Sequence, residues 1–180
     1  MSNGLQGRRA TDGRIQQPEA DETHIAWIPV TSPNSSQHAF RTQAQGYSQL
    51  YICRHSGQLN GQSRTLIIPF TRGMPIPTNN GNLTDCEILI DPHAKVEWTE
   101  LTEPFDPLSN SYNPVNASRS MNETGVYIGK VTDQNGCHRG LGTIFNESGV
   151  FKLLCGIELH MLNSVPVNGF SYHVLCQKRD

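Results

Sequence analysis

The stretches Leu50-Tyr51-Ile52-Cys53-Arg54 and Val126-Tyr127-Ile128-Gly129-Lys130 decide the fold of this chain. Each combines aromatic and β-branched residues with a terminal cation, which is typical of a β-strand. A Trp precedes each stretch and an apolar segment closes it: Trp27 with Cys86-Glu87-Ile88-Leu89, and Trp98 with Tyr172-His173-Val174-Leu175. Because the same order of features occurs twice, the sequence predicts two tandem pseudo-symmetric β repeats with related loops.

Strand-like segments separated by turn residues occupy most of the remaining chain. Nine segments are predicted as strands: 25–30, 48–54, 64–69, 86–90, 96–101, 125–131, 142–145, 150–157 and 170–177. Turn pairs such as Asn135-Gly136 and Ser148-Gly149 separate several of them, and the proline-rich segment 102–124 is predicted to be a long loop. No segment of helical length shows a 3.6-residue period, so we predict an all-β fold.

The 180 residues are enough for one compact domain with a tail. Apolar residues occur only singly in residues 1–23, so this segment is predicted to be a disordered N-terminal tail without a signal peptide. The first repeat is predicted at 24–92 and the second at 93–180.

Composition limits the classes of partner. The net charge is −2 and no basic stripe with interleaved aromatic residues occurs, so we predict no nucleic-acid partner. No apolar run reaches the length needed to cross a bilayer, so we predict no membrane span.

The five cysteines are predicted to be free thiols. Their number is odd, their spacing is wide, and four lie within or beside apolar strand segments, where a thiol packs as a small hydrophobic group. This pattern favours a reducing compartment, and with no signal peptide we predict a cytoplasmic protein, with unconventional secretion left open.

Signatures of catalysis and metal binding are sparse. The segment around Ser48 lacks the second glycine of a nucleophile elbow, and no glycine-rich phosphate loop occurs. The pairs Cys53/His55 and Cys137/His138 do not have the spacing of a zinc site. We therefore predict a non-enzymatic protein with no cofactor and no metal site.

The two copies resemble the DM-nine repeat family. The similarity rests on Trp27-Ile28-Pro29, on the two aromatic strands, on Gly156-Ile157-Glu158-Leu159-His160 and on Tyr172-His173-Val174-Leu175, and it covers about residues 24–178. The resemblance implies a two-repeat β protein, of which some members are lectins that bind mannose and high-mannose glycans without metal and take part in innate immunity. It also implies glycans or glycoproteins as partners and a homodimer.

The family's sugar contacts are an Asp about seven residues before the strand's aromatic and a Lys about fourteen after it. Neither residue stands at the matching positions of either copy, and of the polar side chains at or near these positions we select Gln45, Arg64 and Arg139. The resemblance implies these three as carbohydrate-binding candidates, together with Glu158 and His160 of the Gly-x-Glu-x-His trace, which serve equally well as turn and packing residues.

Two functions therefore remain open at this point. One is a lectin-like protein that recognises mannose-type glycans. The other is a structural or protein-interaction module that kept the fold and lost sugar binding. Tyr51 and Tyr127 are predicted to belong to the core rather than to a sugar-stacking surface.

Overall fold

The computed structural model describes residues 25–31, 39–41, 51–70, 85–123, 125–163 and 169–179. Within these ranges the chain forms ten β-strands and no α-helix, so the all-β prediction is confirmed. The strands are β1 (Ala26–Pro29), β2 (Tyr51–Leu59), β3 (Gln62–Phe70), β4 (Glu87–Ile90), β5 (Val96–Glu100), β6 (Tyr127–Asp133), β7 (His138–Glu147), β8 (Val150–Cys155), β9 (Glu158–Met161) and β10 (Phe170–Gln177). The predicted tail 1–23 lies outside the described residues.

The strands form two antiparallel sheets. The first sheet has the order β1-β4-β2-β3 and the second has the order β5-β10-β6-β7-β8-β9. A shared apolar core joins them: it contains Ile52, Ile67 and Leu89 from the first sheet and Ile128, Leu141 and Leu175 from the second. Period-two alternation along each strand supplies these inward-facing residues.

The outer face of each sheet is also covered. Phe105 and Tyr112, from the long loop that follows β5, stack at 5.9 Å and cover the second sheet, where Phe105 also contacts Tyr127 and Phe151. On the first sheet, Tyr51 packs in a smaller apolar cluster on the outer face. Tyr51 is buried and Tyr127 is half-buried, so both tyrosines belong to the core as predicted.

The strand predictions differ from the structure mainly at turns. Asn60 and Gly61 have positive φ values of 52° and 74° and join β2 to β3 in a two-residue hairpin that the sequence analysis did not identify. The predicted strand 150–157 ends at Cys155, because Gly156 (φ 61°) turns the chain into β9, which was not predicted as a strand. The predicted loop 102–124 contains no strand among its described residues.

The prediction of five free thiols is wrong. Cys53 and Cys86 form a disulfide, while Cys137, Cys155 and Cys176 are free. The two bonded cysteines are 33 residues apart in sequence, but the pairing of β2 with β4 places their Cα atoms 5.8 Å apart, within the range of about 4.4–6.8 Å that a disulfide requires. The thiol argument for a reducing compartment therefore does not hold for this pair.

Four strands of each sheet follow the same order, because β1-β4-β2-β3 corresponds to β5-β10-β6-β7. The registers also correspond: Trp27 lies opposite Leu89, and Trp98 lies opposite Leu175. In both sheets the closing leucine's carbonyl accepts a 2.9 Å hydrogen bond from a loop amide. The Arg54 guanidinium lies 4.6 Å from the Trp27 ring centroid and the Lys130 ammonium lies 4.7 Å from that of Trp98.

Candidate functional site

The edge of β3 faces the second half of the chain. In the β2–β3 hairpin, bonded and non-bonded residue pairs alternate, so the backbone of β3 points away from β2 at residues 63, 65, 67 and 69. The amide of Ile67 donates to Thr143 Oγ1 (2.8 Å), and Pro69 has no N–H to satisfy. At Ile67 and Pro69 this edge is therefore not available to pair with another strand.

Glu123 binds the outward-facing amide of Thr65. Its Oε1 accepts a 2.7 Å hydrogen bond from Thr65 N, and its Oε2 accepts a 2.6 Å hydrogen bond from Thr65 Oγ1. The backbone N–H of Arg119 in turn donates to Thr65 Oγ1 (3.1 Å). The carboxylate is thus held in one orientation between a strand of the first half and the loop that precedes β6.

The Arg119 side chain links the same loop to the first sheet through hydrogen bonds and ion pairs. Its Nη1 donates to Asp85 Oδ1 and to Ser56 Oγ (2.9 Å), and its Nε lies 3.2 Å from Glu87 Oε2. Arg54 Nε donates to the same Glu87 oxygen at 2.7 Å. Two guanidinium groups and two carboxylates therefore form one chain of ion pairs, in which Arg119 has its charge balanced.

The pKa of Asp85 reflects these contacts. Partial burial by itself raises the pKa of a carboxyl group, but here the hydrogen bonds and charge of Arg119, together with the Ser56 amide (2.8 Å), outweigh it. The pKa of Asp85 consequently lies below its ordinary value, and Asp85 is ionised at neutral pH as a partner for Arg119.

A polar cleft of about 340 Å³ lies between β3 and the loop before β6. Its walls come from both halves of the chain: Ser56, Gln62, Ser63, Arg64, Thr65, Arg119, Ser120, Asn122 and Glu123. Every lining residue has a polar or charged side chain, and none is aromatic or aliphatic. Such a lining offers hydrogen-bond donors and acceptors to a hydroxyl-rich ligand.

Arg64 provides the cleft's cation. Its Nη2 donates to Gln62 Oε1 (3.0 Å), its Nη1 donates to the Asn146 carbonyl (3.5 Å), and the guanidinium lies 5.7 Å from the Phe145 ring centroid. Among the described residues Arg64 forms no ion pair within 4.0 Å of a carboxylate, in contrast to Arg119. Donors of the Arg64 fork are therefore available to a ligand beside the fixed carboxylate of Glu123.

The carbohydrate-binding candidates predicted from the sequence lie in different parts of the structure. Arg64 lines the cleft, whereas Gln45 lies outside the described residues. Arg139 is largely exposed and pairs with Asp133 of its own hairpin (Nη2–Oδ2 2.9 Å). Glu158 and His160 lie on β9, and neither lines the cleft.

His160 packs between neighbouring aromatic rings rather than facing solvent. Its ring lies 6.2 Å from Phe170 and 5.5 Å from Tyr172, measured between centroids, and the Tyr172 hydroxyl lies 3.3 Å from His160 Nδ1. The packing role that the sequence left open for His160 is therefore present.

The sequence analysis missed Arg119 and Glu123 because it searched for an acid and a cation within one copy. Glu123 precedes Tyr127 by four residues in the second copy, and Arg64 follows Tyr51 in the first. Only the contact between the two halves brings them into one cleft. A search that paired the acidic position of one copy with the basic position of the other could have found Glu123 together with Arg64.

A second basic cluster lies on the second sheet. His173 is paired in register with Lys130, whose ammonium lies over Trp98. Burial lowers the pKa of Lys130. Burial, followed by the charge of Lys130, lowers the pKa of both His138 and His173, with Glu100 opposing the effect at His173. Both imidazoles are consequently neutral at pH 7.

No protein-family model, curated protein or solved structure matches this chain. In the part of the chain that the structure describes, no helix is long and apolar enough to cross a membrane. The same residues contain no cluster of three or more His, Cys, Asp or Glu side chains arranged to hold a metal ion. The function must therefore be argued from the cleft.

Proposed function

We propose that this protein is a non-enzymatic, lectin-like protein that binds a neutral, hydroxyl-rich glycan of the mannose type in the cleft between β3 and the loop before β6. The observation that carries the proposal is that one cleft is lined both by Glu123, a fixed carboxylate, and by Arg64, a guanidinium that has no carboxylate within 4.0 Å among the described residues. A carboxylate accepts hydrogen bonds from vicinal hydroxyls while a guanidinium donates to ring and hydroxyl oxygens, and both bonds are charge-assisted.

The balance of charge favours a neutral sugar. Arg119 is compensated by Asp85 and Glu87, whereas Arg64, which interacts with Glu147 only at longer range, and Glu123 supply the other two charges of the cleft lining. A strongly anionic glycan would gain at Arg64 but would be repelled at Glu123. The uncharged donors and acceptors of Asn122 and Ser63 complete a surface suited to hydroxyl groups.

The tandem repeat is part of the same proposal. The common strand order and the matching Trp–Leu registers support an origin by duplication and a membership in the DM-nine repeat family. In this proposal the family's acid and cation have not been lost; each copy supplies one of them to a shared cleft. A role in recognising foreign glycans rests on the family resemblance alone.

The test is retention on mannose-agarose with release by free methyl α-mannoside, followed by titration calorimetry. Arg64→Ala should weaken binding by about 10- to 100-fold, since a hydrogen bond to a charged group contributes about 1.5–3 kcal/mol. Glu123→Gln should weaken it similarly while preserving the shape of the side chain. Arg139→Ala is the matched control, because Arg139 pairs within its own hairpin and does not line the cleft.

Two results would contradict this assignment. If wild-type protein is not retained by any neutral glycan on an array, the lectin-like function is wrong and the interaction-module alternative takes its place. If Arg139→Ala abolishes binding while Arg64→Ala leaves it intact, sugar binding occurs elsewhere than in this cleft.

A further inference from the structure

A cation of the first sheet is held between a Trp ring and a carboxylate. The Arg54 guanidinium lies 4.6 Å from the Trp27 ring centroid, and its Nε donates a 2.7 Å hydrogen bond to Glu87, the residue opposite it on β4. Its Nη1 donates to the carbonyls of Ala117 and Ser118, at 3.2 Å each. Both the charge and the donors of this guanidinium are therefore matched within the protein.

The second sheet repeats this arrangement without the carboxylate. The Lys130 ammonium lies 4.7 Å from the Trp98 ring centroid, and Lys130 has the place of Arg54, three residues after the tyrosine of its strand. The residue opposite Lys130 is His173, which stands two residues before the closing leucine, as Glu87 does in the first copy. Among the described residues Lys130 has no carboxylate within 4.0 Å.

Glu100 is the acid on the same row of the second sheet. It lies opposite His173 on β5, so the β10 strand separates it from Lys130, and its charge acts on the His173 imidazole. Burial alone accounts for the lowered pKa of Lys130, as expected for a half-buried cation that no neighbouring carboxylate stabilises. The positive charge of Lys130 is therefore not balanced by this acid.

Two ring nitrogens beside Lys130 add further hydrogen-bonding capacity. Trp98 Nε1 and His173 Nδ1 are shielded from solvent, and neither has a hydrogen-bond partner among the described residues. An indole N–H can only donate, and an imidazole nitrogen donates when it carries the proton. Buried polar groups are normally paired in folded proteins, so these two nitrogens and the ammonium form a set of donors suited to a negatively charged acceptor.

We propose that Lys130, Trp98 and His173 bind the carboxylate group of a small organic acid. One carboxylate carries one negative charge, which balances Lys130, and two oxygens, which accept hydrogen bonds from the ammonium and from a ring nitrogen. In the first sheet the carboxylate of Glu87 takes this place beside the cation on the Trp ring, so the fold accommodates that group there.

Charge and position define the ligand further. A phosphate dianion is disfavoured, because Lys130 balances only one of its charges and Glu100 shares the row. Lys130, Trp98 and His173 are each only partly buried, so a small ligand reaches this group from solvent. None of the three lines the cleft between β3 and the loop before β6, so this site is separate from the proposed sugar site.

The test is a titration followed by the indole N–H signals in proton–nitrogen correlation spectra. The chain has two Trp residues, and Trp98→Phe assigns the signals. At constant ionic strength, sodium acetate should shift the Trp98 signal saturably and leave that of Trp27, whose cation is already paired with Glu87. Sodium glucuronate tests an acidic sugar as the source of the carboxylate: tighter binding than acetate identifies the sugar, and equal or weaker binding identifies a simple acid. Methyl glucoside, which has no carboxylate, should cause no shift.

Two variants and a matched control connect the shift to the site. Lys130→Met should weaken acetate binding about tenfold or more, because it removes a charge-assisted hydrogen bond. Lys178→Met removes an exposed lysine directly after β10 and should leave binding unchanged. His173→Glu introduces the carboxylate that Glu87 supplies in the first sheet, so it should pair with Lys130 and exclude acetate. All three should keep the retention on mannose-agarose, so this proposal and the proposed function fail separately.

Three results would overturn the proposal. The first is a Trp98 signal that does not move at about 100 mM acetate, a concentration that detects even millimolar affinity, or that chloride moves equally. The second is a Lys130→Met variant that binds acetate as the wild type does. If Lys130→Met does not fold, His173→Glu decides, and the third result is undiminished acetate binding by that variant.

Discussion

Replacing Thr143 with valine should remove a hydrogen bond between the two sheets while leaving the volume of the core nearly unchanged. Thr143 is 2% exposed and its Oγ1 accepts the 2.8 Å hydrogen bond from the amide of Ile67, which is also buried. Valine has nearly the same shape but offers a methyl group where the acceptor was. The Ile67 amide points away from β2, so it has no partner within its own hairpin.

The magnitude follows from the cost of an unpaired buried donor. Leaving a buried amide unsatisfied costs about 1–3 kcal/mol, and burying a methyl group in place of the hydroxyl recovers part of this, so we expect a loss of about 1–2 kcal/mol in the free energy of unfolding. For a chain of this size the corresponding fall in Tm is about 2–8 °C.

The assay is urea denaturation combined with amide hydrogen exchange. Thr143→Ser is the matched control, because it keeps the hydroxyl and removes only the methyl group. The Ile67 amide should lose protection in Thr143→Val and keep it in Thr143→Ser. If Thr143→Val is as stable as the wild type and the Ile67 amide stays protected, then the link between β3 and β7 does not depend on this hydrogen bond.

Two further predictions concern the disulfide and the buried imidazoles. Denatured protein should react with three equivalents of a thiol reagent before reduction and with five after it, because Cys53 and Cys86 are bonded; five before reduction would show that the bond is absent. Burial and the neighbouring Lys130 lower the pKa of His173, so the unfolded chain binds more protons as the pH falls below about 6.5 and stability decreases. His173→Gln should therefore reduce the loss of stability between about pH 7.5 and pH 5.5; an unchanged slope would exclude His173 as its source.

Strand type was predictable because it depends on local chemistry. Apolar alternation and β-branched residues located nine of the ten strands, and the glycine after Ser148 marked a hairpin. β9 was missed because only four residues separate the turn at Gly156 from the end of the strand, and two of them are charged or polar. Too few positions remain there for a period to appear.

The candidate site was only partly predictable. Arg64 was identified because it lies near an expected position in its own copy. Glu123 and Arg119 were not, because their roles depend on the amide of Thr65 and on Asp85, which are far away in sequence. The disulfide was missed for the same reason, since the pairing of β2 with β4 and not the spacing of the cysteines brings Cys53 to Cys86.

The sequence by itself determined the all-β class, nine of the ten strands, and the two matching orders of Trp, aromatic strand and closing leucine. These follow from side-chain shape, hydrophobic alternation and turn chemistry, which act over a few residues. Only the tertiary structure decided which residues of the two halves come into contact. It placed the acid of one half and the cation of the other in one cleft. Among the described residues it gave Arg119, but not Arg64, a carboxylate within 4.0 Å. The cleft and the ion pairs of Arg119 depend on contacts between residues more than thirty positions apart, which no local pattern encodes.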